Sequence, residues 1–141
     1  MEFLLYLDNQ GQQLIRDLIS ARFSIQENIG LCKNPNIFGY TESPKKFIVC
    51  TKNIKKGGWD VNQYIPETVY HEAVHAAQLC VNNEPLGIST KNMPLSANKM
   101  QDVRNSVNTI KSYKALQREH EAYFFEDKPN QVHYYVRKFC F

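Results

Sequence analysis

The chain has 141 residues, a mass of 16.4 kDa and a formal net charge of +3 at pH 7, which suits one folded domain with a buried core. A hydrophobic fraction of 43% excludes a disordered chain, and the small charge gives no reason to expect a nucleic-acid partner. No apolar run approaches the roughly 18 residues of a membrane span, and the run near the N-terminus is too short for a signal peptide. We therefore expect a single domain over residues 1–141, soluble and cytoplasmic.

The first half of the chain predicts a helix followed by strands. An apolar stripe at spacings of three and four indicates a helix over about 9–27. Two β runs follow, at about 37–41 and 46–51, joined by a Ser-Pro turn and succeeded by a glycine-containing loop. The five lysines within 45–56 favour the solvated face of a strand, and the alternative is a basic surface that docks an acidic partner.

The second half is predicted to be mainly helical. Pro66 suits a first helical turn, so a helix is expected over about 66–81, followed by an irregular connection over 82–97. A long helix is expected over about 98–126, and the tail "QVHYYVRKFCF" has the spacing of a short terminal helix. The fold class is therefore α+β, with two long helices packed beside a short β-sheet.

The four cysteines are spread along the chain without a CxxC pair. Since no export signal is apparent, we expect them to be reduced, partly buried thiols and not a disulfide framework. The spacing also excludes a zinc ribbon. They are Cys32, Cys50, Cys80 and Cys140.

The stretch "HEAVH" places two histidines four residues apart inside a predicted helix. On a helix His71 and His75 share one face, while Glu72 lies about 100° around the axis. Two imidazoles on one ion, with a carboxylate beside it to accept a proton from water, are what a zinc hydrolase needs. A shuffled chain of this composition would contain HExxH roughly 0.5% of the time. The alternative is a helix that carries two histidines without a metal.

A catalytic zinc ion also needs a third protein ligand, and the stretch "LQREHEAYFFED" offers the best candidates. Glu119 lies on the apolar face of the predicted helix, where an unpaired carboxylate would be unfavourable, so it is the preferred ligand. Glu121 shares its face with polar residues and is the second candidate, and His120 is the third.

"HEAVH" followed by "EHEA" on a second helix resembles the zincin metallopeptidases of the glutamate-ligand type. The nearest likeness is to the mitochondrial inner-membrane peptidases that process an ATP-synthase subunit, through blocks in 32–80 and 116–125. This resemblance implies a zincin-like domain with His71, His75 and Glu119 as zinc ligands and Glu72 as the general base. It also implies that "KKFIVCTK" is the strand beside the active-site helix, where an extended substrate could pair with it, and the alternative is an ordinary strand of the sheet.

The expected function is zinc-dependent hydrolysis of peptide bonds in a peptide or protein substrate. The alternative is a zinc-site regulatory or assembly factor that binds a protein partner without proteolysis. Trp59, beside two glycines, could wall the cleft, and the alternative is that it belongs to the core, as a lone tryptophan usually does. The donor that stabilises the oxyanion remains open among five side chains, namely Tyr113, His120, Tyr123, His133 and Tyr134.

Overall fold

The computed structural model describes residues 1–107 and 112–141. In that part of the chain it contains six α-helices and one three-stranded sheet, which confirms the α+β class. The elements in chain order are α1 Asn9–Ser20, β1 Ser24–Glu27, β2 Gly39–Glu42, β3 Lys46–Val49, α2 Thr51–Lys56, α3 Val61–Cys80, α4 Ala97–Ser106, α5 Tyr113–Phe125 and α6 Pro129–Cys140.

The sheet has the order β1-β3-β2, with β3 parallel to β1 and antiparallel to β2. The apolar residues of β3, Phe47 to Val49, are fully buried, as expected for a central strand. Both predicted β runs are therefore strands, with bounds that differ by a few residues. The five lysines within 45–56 were predicted to lie on the solvated face of a strand. This is only partly right, because Lys52, Lys55 and Lys56 lie exposed on α2.

The first helix is shorter than predicted. Asp8 caps α1 by accepting a hydrogen bond from the backbone N–H of Gly11 at 2.8 Å. The helix ends at Ser20, and Arg22 then adopts a left-handed backbone with φ of 76°. The next residues pair with β3 as β1, so the predicted helix over 9–27 is wrong in its last third.

The helix α3 passes through the middle of the fold and contacts α1, α2, α5, α6 and the strands β2 and β3. It begins at Val61, after the cap Asp60, so Pro66 lies inside the helix and not in its first turn. Pro66 cannot donate a hydrogen bond to the carbonyl of Asn62, but Asn62 is exposed, so water can satisfy that oxygen. Although α3 has 20 residues, no helix in the described ranges is long and apolar enough to cross a lipid bilayer.

The helix predicted over 98–126 is two helices. Ser96 caps α4, and Ser112 caps α5 by accepting a hydrogen bond from the N–H of Ala115. Serine can bond to nearby backbone groups outside a helix, so it favours such a boundary over a helix interior. The predicted stripe included Ile110, which lies outside the described residues. The terminal helix is present as α6.

All four cysteines are paired in two disulfides, so the prediction of reduced thiols is wrong. Cys32–Cys50 joins the turn after β1 to the end of β3, and Cys80–Cys140 joins the ends of α3 and α6. Widely spaced cysteines gave no pairing signal in sequence, because the fold alone brings the ends of α3 and α6 together.

Candidate metal centre

Three side chains from two helices meet at one point. His71 and His75 project from α3, and Glu119 projects from α5, with one ligand atom from each residue within 4.8 Å of the others. The Nε2 atom of His75 lies 2.6 Å from Glu119 Oε1, and the Nε2 atom of His71 lies 3.6 Å from Glu119 Oε2. The structure thus brings together the three residues that the sequence indicated as metal ligands.

The geometry of this cluster fits a zinc ion. Bonds of about 2.0–2.1 Å in a tetrahedral site put neighbouring ligand atoms roughly 3.3 Å apart. The observed separations are 2.6 Å to Oε1 of Glu119 and 3.6 Å to its Oε2, and the three ligand atoms lie within 4.8 Å of one another. Shifts of about 1.5 Å or less in these separations would accommodate the ion. The donor set of two imidazoles and one carboxylate is also one that zinc prefers in catalytic sites.

Glu126 fixes the orientation of His71. The Nδ1 atom of His71 donates to Glu126 Oε1 at 2.8 Å, since an ionised carboxylate can only accept. The Nε2 atom of the same ring is then turned towards Glu119. Metal-binding histidines commonly make this second contact, which sets the tautomer and raises the basicity of the ligating nitrogen.

A corresponding chain of hydrogen bonds fixes His75. The side-chain nitrogen of Gln78 donates to Glu121 Oε1 at 2.8 Å and to the carbonyl of Arg118 at 3.0 Å. The other end of the Gln78 amide, its oxygen, therefore accepts from Nδ1 of His75 at 2.7 Å. As with His71, the ligating Nε2 is left facing Glu119.

Glu121 has a structural position that the sequence did not indicate. It was predicted to lie on a solvated face, but it is fully buried, and its Oε1 also accepts from the N–H of Leu86 at 2.9 Å. The prediction was wrong because the connection after α3 folds over α5 and covers that face. His120 is no ligand in this cluster, since its Nε2 donates to the carbonyl of Met93 at 2.7 Å.

The charges of the three clustered side chains are strongly coupled. Burial alone would lower the pKa of His71, but hydrogen bonds to Glu119 and Glu126 raise it well above its usual range. Burial would also lower the pKa of His75, but the negative charge of Glu119 raises it above its usual value. Burial would raise the pKa of Glu119, but the two histidines lower it well below its usual range. Protons and a metal ion would thus compete for the same two nitrogens.

Glu72 is held beside the cluster by the strand β2. The hydroxyl of Thr41 lies 2.9 Å from Glu72 Oε1 and 3.1 Å from the carbonyl oxygen of Glu72, and it can donate to one of them at a time. This contact requires a close approach of β2 to α3 at Gly39. A Cβ atom at Gly39 would lie 2.8 Å from Cγ2 of Thr68 and 3.3 Å from Cγ of Glu72, so only glycine fits there without a shift.

A cavity of about 490 Å³ opens in front of His71, Glu72 and Glu119. Trp59 is 48% exposed and lines it, so of the two positions that the sequence left open it takes the cleft wall and not the core. Its ring packs edge-on against Phe38 and Tyr64, with ring centroids 5.7 and 5.1 Å away.

Of the five candidates for the oxyanion donor, only Tyr123 lines this cavity. Its ring lies 4.5 Å from that of His71, and its hydroxyl is 3.3 Å from Oγ of Ser106. Burial raises the pKa of Tyr123, so the phenol stays protonated and can donate. Tyr113 and Tyr134 are exposed elsewhere, and His133 is buried beside Tyr70.

Glu67 adds a further carboxyl group near His71. It lies one helical turn before His71, is close to Glu126 and lines the cavity. Burial and the neighbouring Glu126 carboxylate raise the pKa of Glu67 to about 7. Lys99 reaches Glu126 Oε2 at 3.5 Å from the other side and offsets its charge.

Sequence analysis missed several of the side chains that support the cluster. Gln78 could have been suspected, because it follows His75 by three positions on the same helix. Glu126 stood among the acids of the second helix without an assigned role. Nothing in the local sequence signals Thr41, which meets Glu72 only because β2 folds against α3.

The chain matches a protein family over residues 3–141, a span that includes every residue of the cluster. The family is described as "Domain of unknown function (DUF8637)". No curated protein and no solved structure matches the chain. The resemblance to the zincins therefore stays a prediction from the motif. Since the match covers almost the whole chain, the protein belongs to the DUF8637 family.

Proposed function

We propose that the protein is a zinc-dependent peptidase, with His71, His75 and Glu119 as the metal ligands and Glu72 as the general base. The observation that carries the proposal is the meeting of these ligands within 4.8 Å, with His71 and Glu119 at the wall of a cavity that Glu72 also lines. A structural pair of helix histidines would not require this arrangement. A zinc ion bound there would lower the pKa of water and polarise a carbonyl group.

The chain's own residues can supply the proton transfers. Glu72 accepts a proton from the attacking water and passes it to the leaving amine. The hydroxyl of Thr41, 2.9 Å from Glu72 Oε1, limits the orientations of that carboxylate. Because Glu72 is 6% exposed, few water molecules compete with the reacting one.

Tyr123 is the proposed donor to the oxyanion. It follows Glu119 by four positions on α5, so both side chains lie on the same face of that helix. A rotation of the phenolic hydroxyl away from Ser106 would direct its proton into the cavity. A neutral hydroxyl so placed can stabilise the negative charge that develops on the carbonyl oxygen.

The strand β2 is the proposed docking edge for the substrate backbone. The sequence resemblance pointed to "KKFIVCTK", but β3 is paired on both sides and cannot accept another strand. Within the described residues β2 pairs with β3 alone, and its first residue, Gly39, lines the cavity. An extended peptide could pair with such an edge.

The test is peptide cleavage by the zinc-loaded protein. A complex peptide mixture is incubated with the wild type, with Glu72→Gln and with Glu84→Gln, an exposed acid outside the cavity and outside β2, and new termini are identified by mass spectrometry. We expect cleavage by the wild type and Glu84→Gln, and its loss in Glu72→Gln with zinc content unchanged. Cleavage by Glu72→Gln at the wild-type rate would contradict the proposal.

A regulatory or assembly factor that uses the same zinc site is the alternative function. It would bind a partner through the cavity without proteolysis, so its biological activity would survive in Glu72→Gln. The same variant therefore separates the two functions.

We also infer that the protein works in an oxidising compartment, against the cytoplasmic location expected from sequence. The supporting observation is that all four cysteines are bridged, and disulfides of this kind rarely persist in a reducing cytosol. Alkylation of the protein isolated without reductant should leave its mass unchanged. Four alkylated cysteines would refute this inference.

A further inference from the structure

The cavity in front of the cluster formed by His71, His75 and Glu119 has an aromatic wall. Phe38, Trp59 and Tyr64 pack edge-to-face, and the three ring centroids lie 5.1–6.2 Å from one another. All three side chains line the cavity, and Trp59 remains half exposed although it is the only tryptophan in the chain. Aromatic faces can hold an apolar side chain or the stem and head of a cationic one.

Apart from His71 and the tyrosines, the ionisable side chains that line the cavity are acidic. Five carboxylates line it, and no lysine or arginine of the described residues does. Three of the five have roles already: Glu119 is a metal ligand, Glu72 is the general base, and Glu126 binds His71 and Lys99. The two others are Glu67 and Asp102.

Glu67 and Asp102 make no ion pair within the described part of the chain. A divalent ion at the cluster would offset Glu119 and one further charge, and Lys99 offsets Glu126. Asp102 and Glu67, the latter partly protonated because its pKa is about 7, are therefore left without a counterion in a partly enclosed space. A cation bound there would favour the ionised form of Glu67 and would be stabilised more strongly than in bulk water.

The position of Glu67 relates this charge to the reacting centre. Glu67 precedes His71 by four residues on α3, which is about 6 Å along the helix axis. Residues of an extended chain are about 3.3 Å apart, so a cationic group that reaches Glu67 would belong to a residue within about two positions of the bond being cleaved.

We propose that this cavity is a specificity subsite for a lysine or arginine side chain close to the scissile bond of a peptide substrate. The proposal rests on the proposed peptidase function. The aliphatic stem packs against Trp59 and its aromatic neighbours, and the cationic head pairs with Glu67 and Asp102. An apolar side chain would bury the same carboxylates without a partner, and an acidic one would be repelled.

The subsite can be tested by binding, without turnover. Two libraries of blocked octapeptides are randomised at seven positions, with lysine fixed at the fourth position in one and norleucine in the other. They are titrated into zinc-loaded Glu72→Gln protein, and the fluorescence of Trp59 reports occupancy. We expect the lysine library to bind at least about tenfold more tightly, as a charge-assisted contact in a cavity would give.

Variants of Glu67 and Asp102 test whether these two acids cause the preference for lysine. Glu67→Gln keeps the shape of the side chain and should reduce the preference for lysine by about tenfold, and Asp102→Asn should also reduce it. Glu84→Gln is the control, because Glu84 is exposed, pairs with Lys114 and lies outside the cavity. Equal binding of the two libraries, no binding of either, or an unchanged preference in Glu67→Gln would overturn the subsite.

Cleavage of the same libraries by the wild-type protein separates the two proposals. Cleavage of both libraries at equal rates would support the peptidase and overturn the subsite. Selective binding of the lysine library without any cleavage would retain the subsite and overturn the peptidase.

Discussion

The side-chain oxygen of Gln78 accepts a hydrogen bond from Nδ1 of His75 at 2.7 Å, and the two residues are three positions apart on α3. The amide nitrogen of Gln78 is in turn bound by Glu121, a fully buried residue of α5. A carboxylate outside the proposed set of metal ligands thereby determines which nitrogen of His75 faces Glu119. Sequence analysis considered both Glu119 and Glu121 as ligands. The contact gives them different roles, because Glu119 faces the histidines and Glu121 holds Gln78.

Replacing each of these glutamates should have different effects. We expect Glu119→Ala to lose zinc, because one of three proposed ligands is removed, and the metal-free protein should also lose the stabilising contacts of Glu119 with His71 and His75. Glu121→Ala should retain zinc but lower the free energy of unfolding by about 1–3 kcal/mol, since Gln78 and Leu86 lose a buried acceptor. Elemental analysis and urea unfolding measure the two quantities. Loss of zinc in Glu121→Ala alone would mean that the ligand assignment is wrong.

Glu126→Ala should weaken zinc binding without removing a ligand. His71 would lose the partner of its Nδ1, and changes of this kind lower metal affinity by about 10–100-fold. Competition with a chromophoric chelator gives the affinity. Asp127→Ala is the matched control, because Asp127 is the next residue and its side chain is 57% exposed. Equal affinities of the two variants would show that the contact does not support the site.

The stability of the protein should depend on pH in opposite ways with and without zinc. The pKa values of His71 and His75 are raised, so their protonated forms stabilise the metal-free fold below about pH 6.5, and this contribution is lost as pH rises through the folded-state values. The pKa of Glu119 is lowered, so its contribution is present above about pH 4.5 and is lost at lower pH.

Zinc requires neutral imidazoles, so the increase in melting temperature on adding zinc should grow from about pH 6 to about pH 8. Over the same range the chelator-treated protein should become less stable. Thermal unfolding at several pH values, with His71→Ala as a control that lacks the site, measures both trends. If the increase in melting temperature on adding zinc does not change with pH, zinc does not bind through these histidines.

The two disulfides should contribute unequally to stability. Cys80–Cys140 spans 60 positions and Cys32–Cys50 spans 18. The chain-entropy relation then gives about 4 kcal/mol for the first and about 3 kcal/mol for the second. Denaturant unfolding of the two paired Cys→Ser variants tests this order. The reverse order would indicate that strain or residual structure in the unfolded chain outweighs loop closure.

Tyr123→Phe should slow catalysis while leaving the metal site intact. Removal of an oxyanion donor commonly lowers kcat by about 10²–10³-fold. The ring contact with His71 is kept in this variant, so zinc content and KM should change little. Tyr113→Phe is the control, since Tyr113 is 75% exposed outside the cavity. A kcat equal to that of the wild type would remove Tyr123 from the mechanism.

The amino-acid sequence alone determined the features that repeat along a helix or strand. His71, Glu72 and His75 are related by helical geometry, so their mutual arrangement follows once α3 forms. The same holds for Glu119 and Tyr123 on α5. The β runs and the α+β class were also predictable, because alternation and spacing of apolar residues are local signals.

Tertiary structure decided which distant groups meet. The face that buries Glu121, the placement of Thr41 against Glu72 and the pairing of the cysteines all depend on how α3, α5, α6 and β2 pack together. The β1 strand is another example, since a four-residue segment of mixed polarity becomes a strand only through pairing with β3. Such contacts are made by residues far apart in the chain, so no periodicity records them, and the balance of burial and hydrogen bonding over the whole fold selects them.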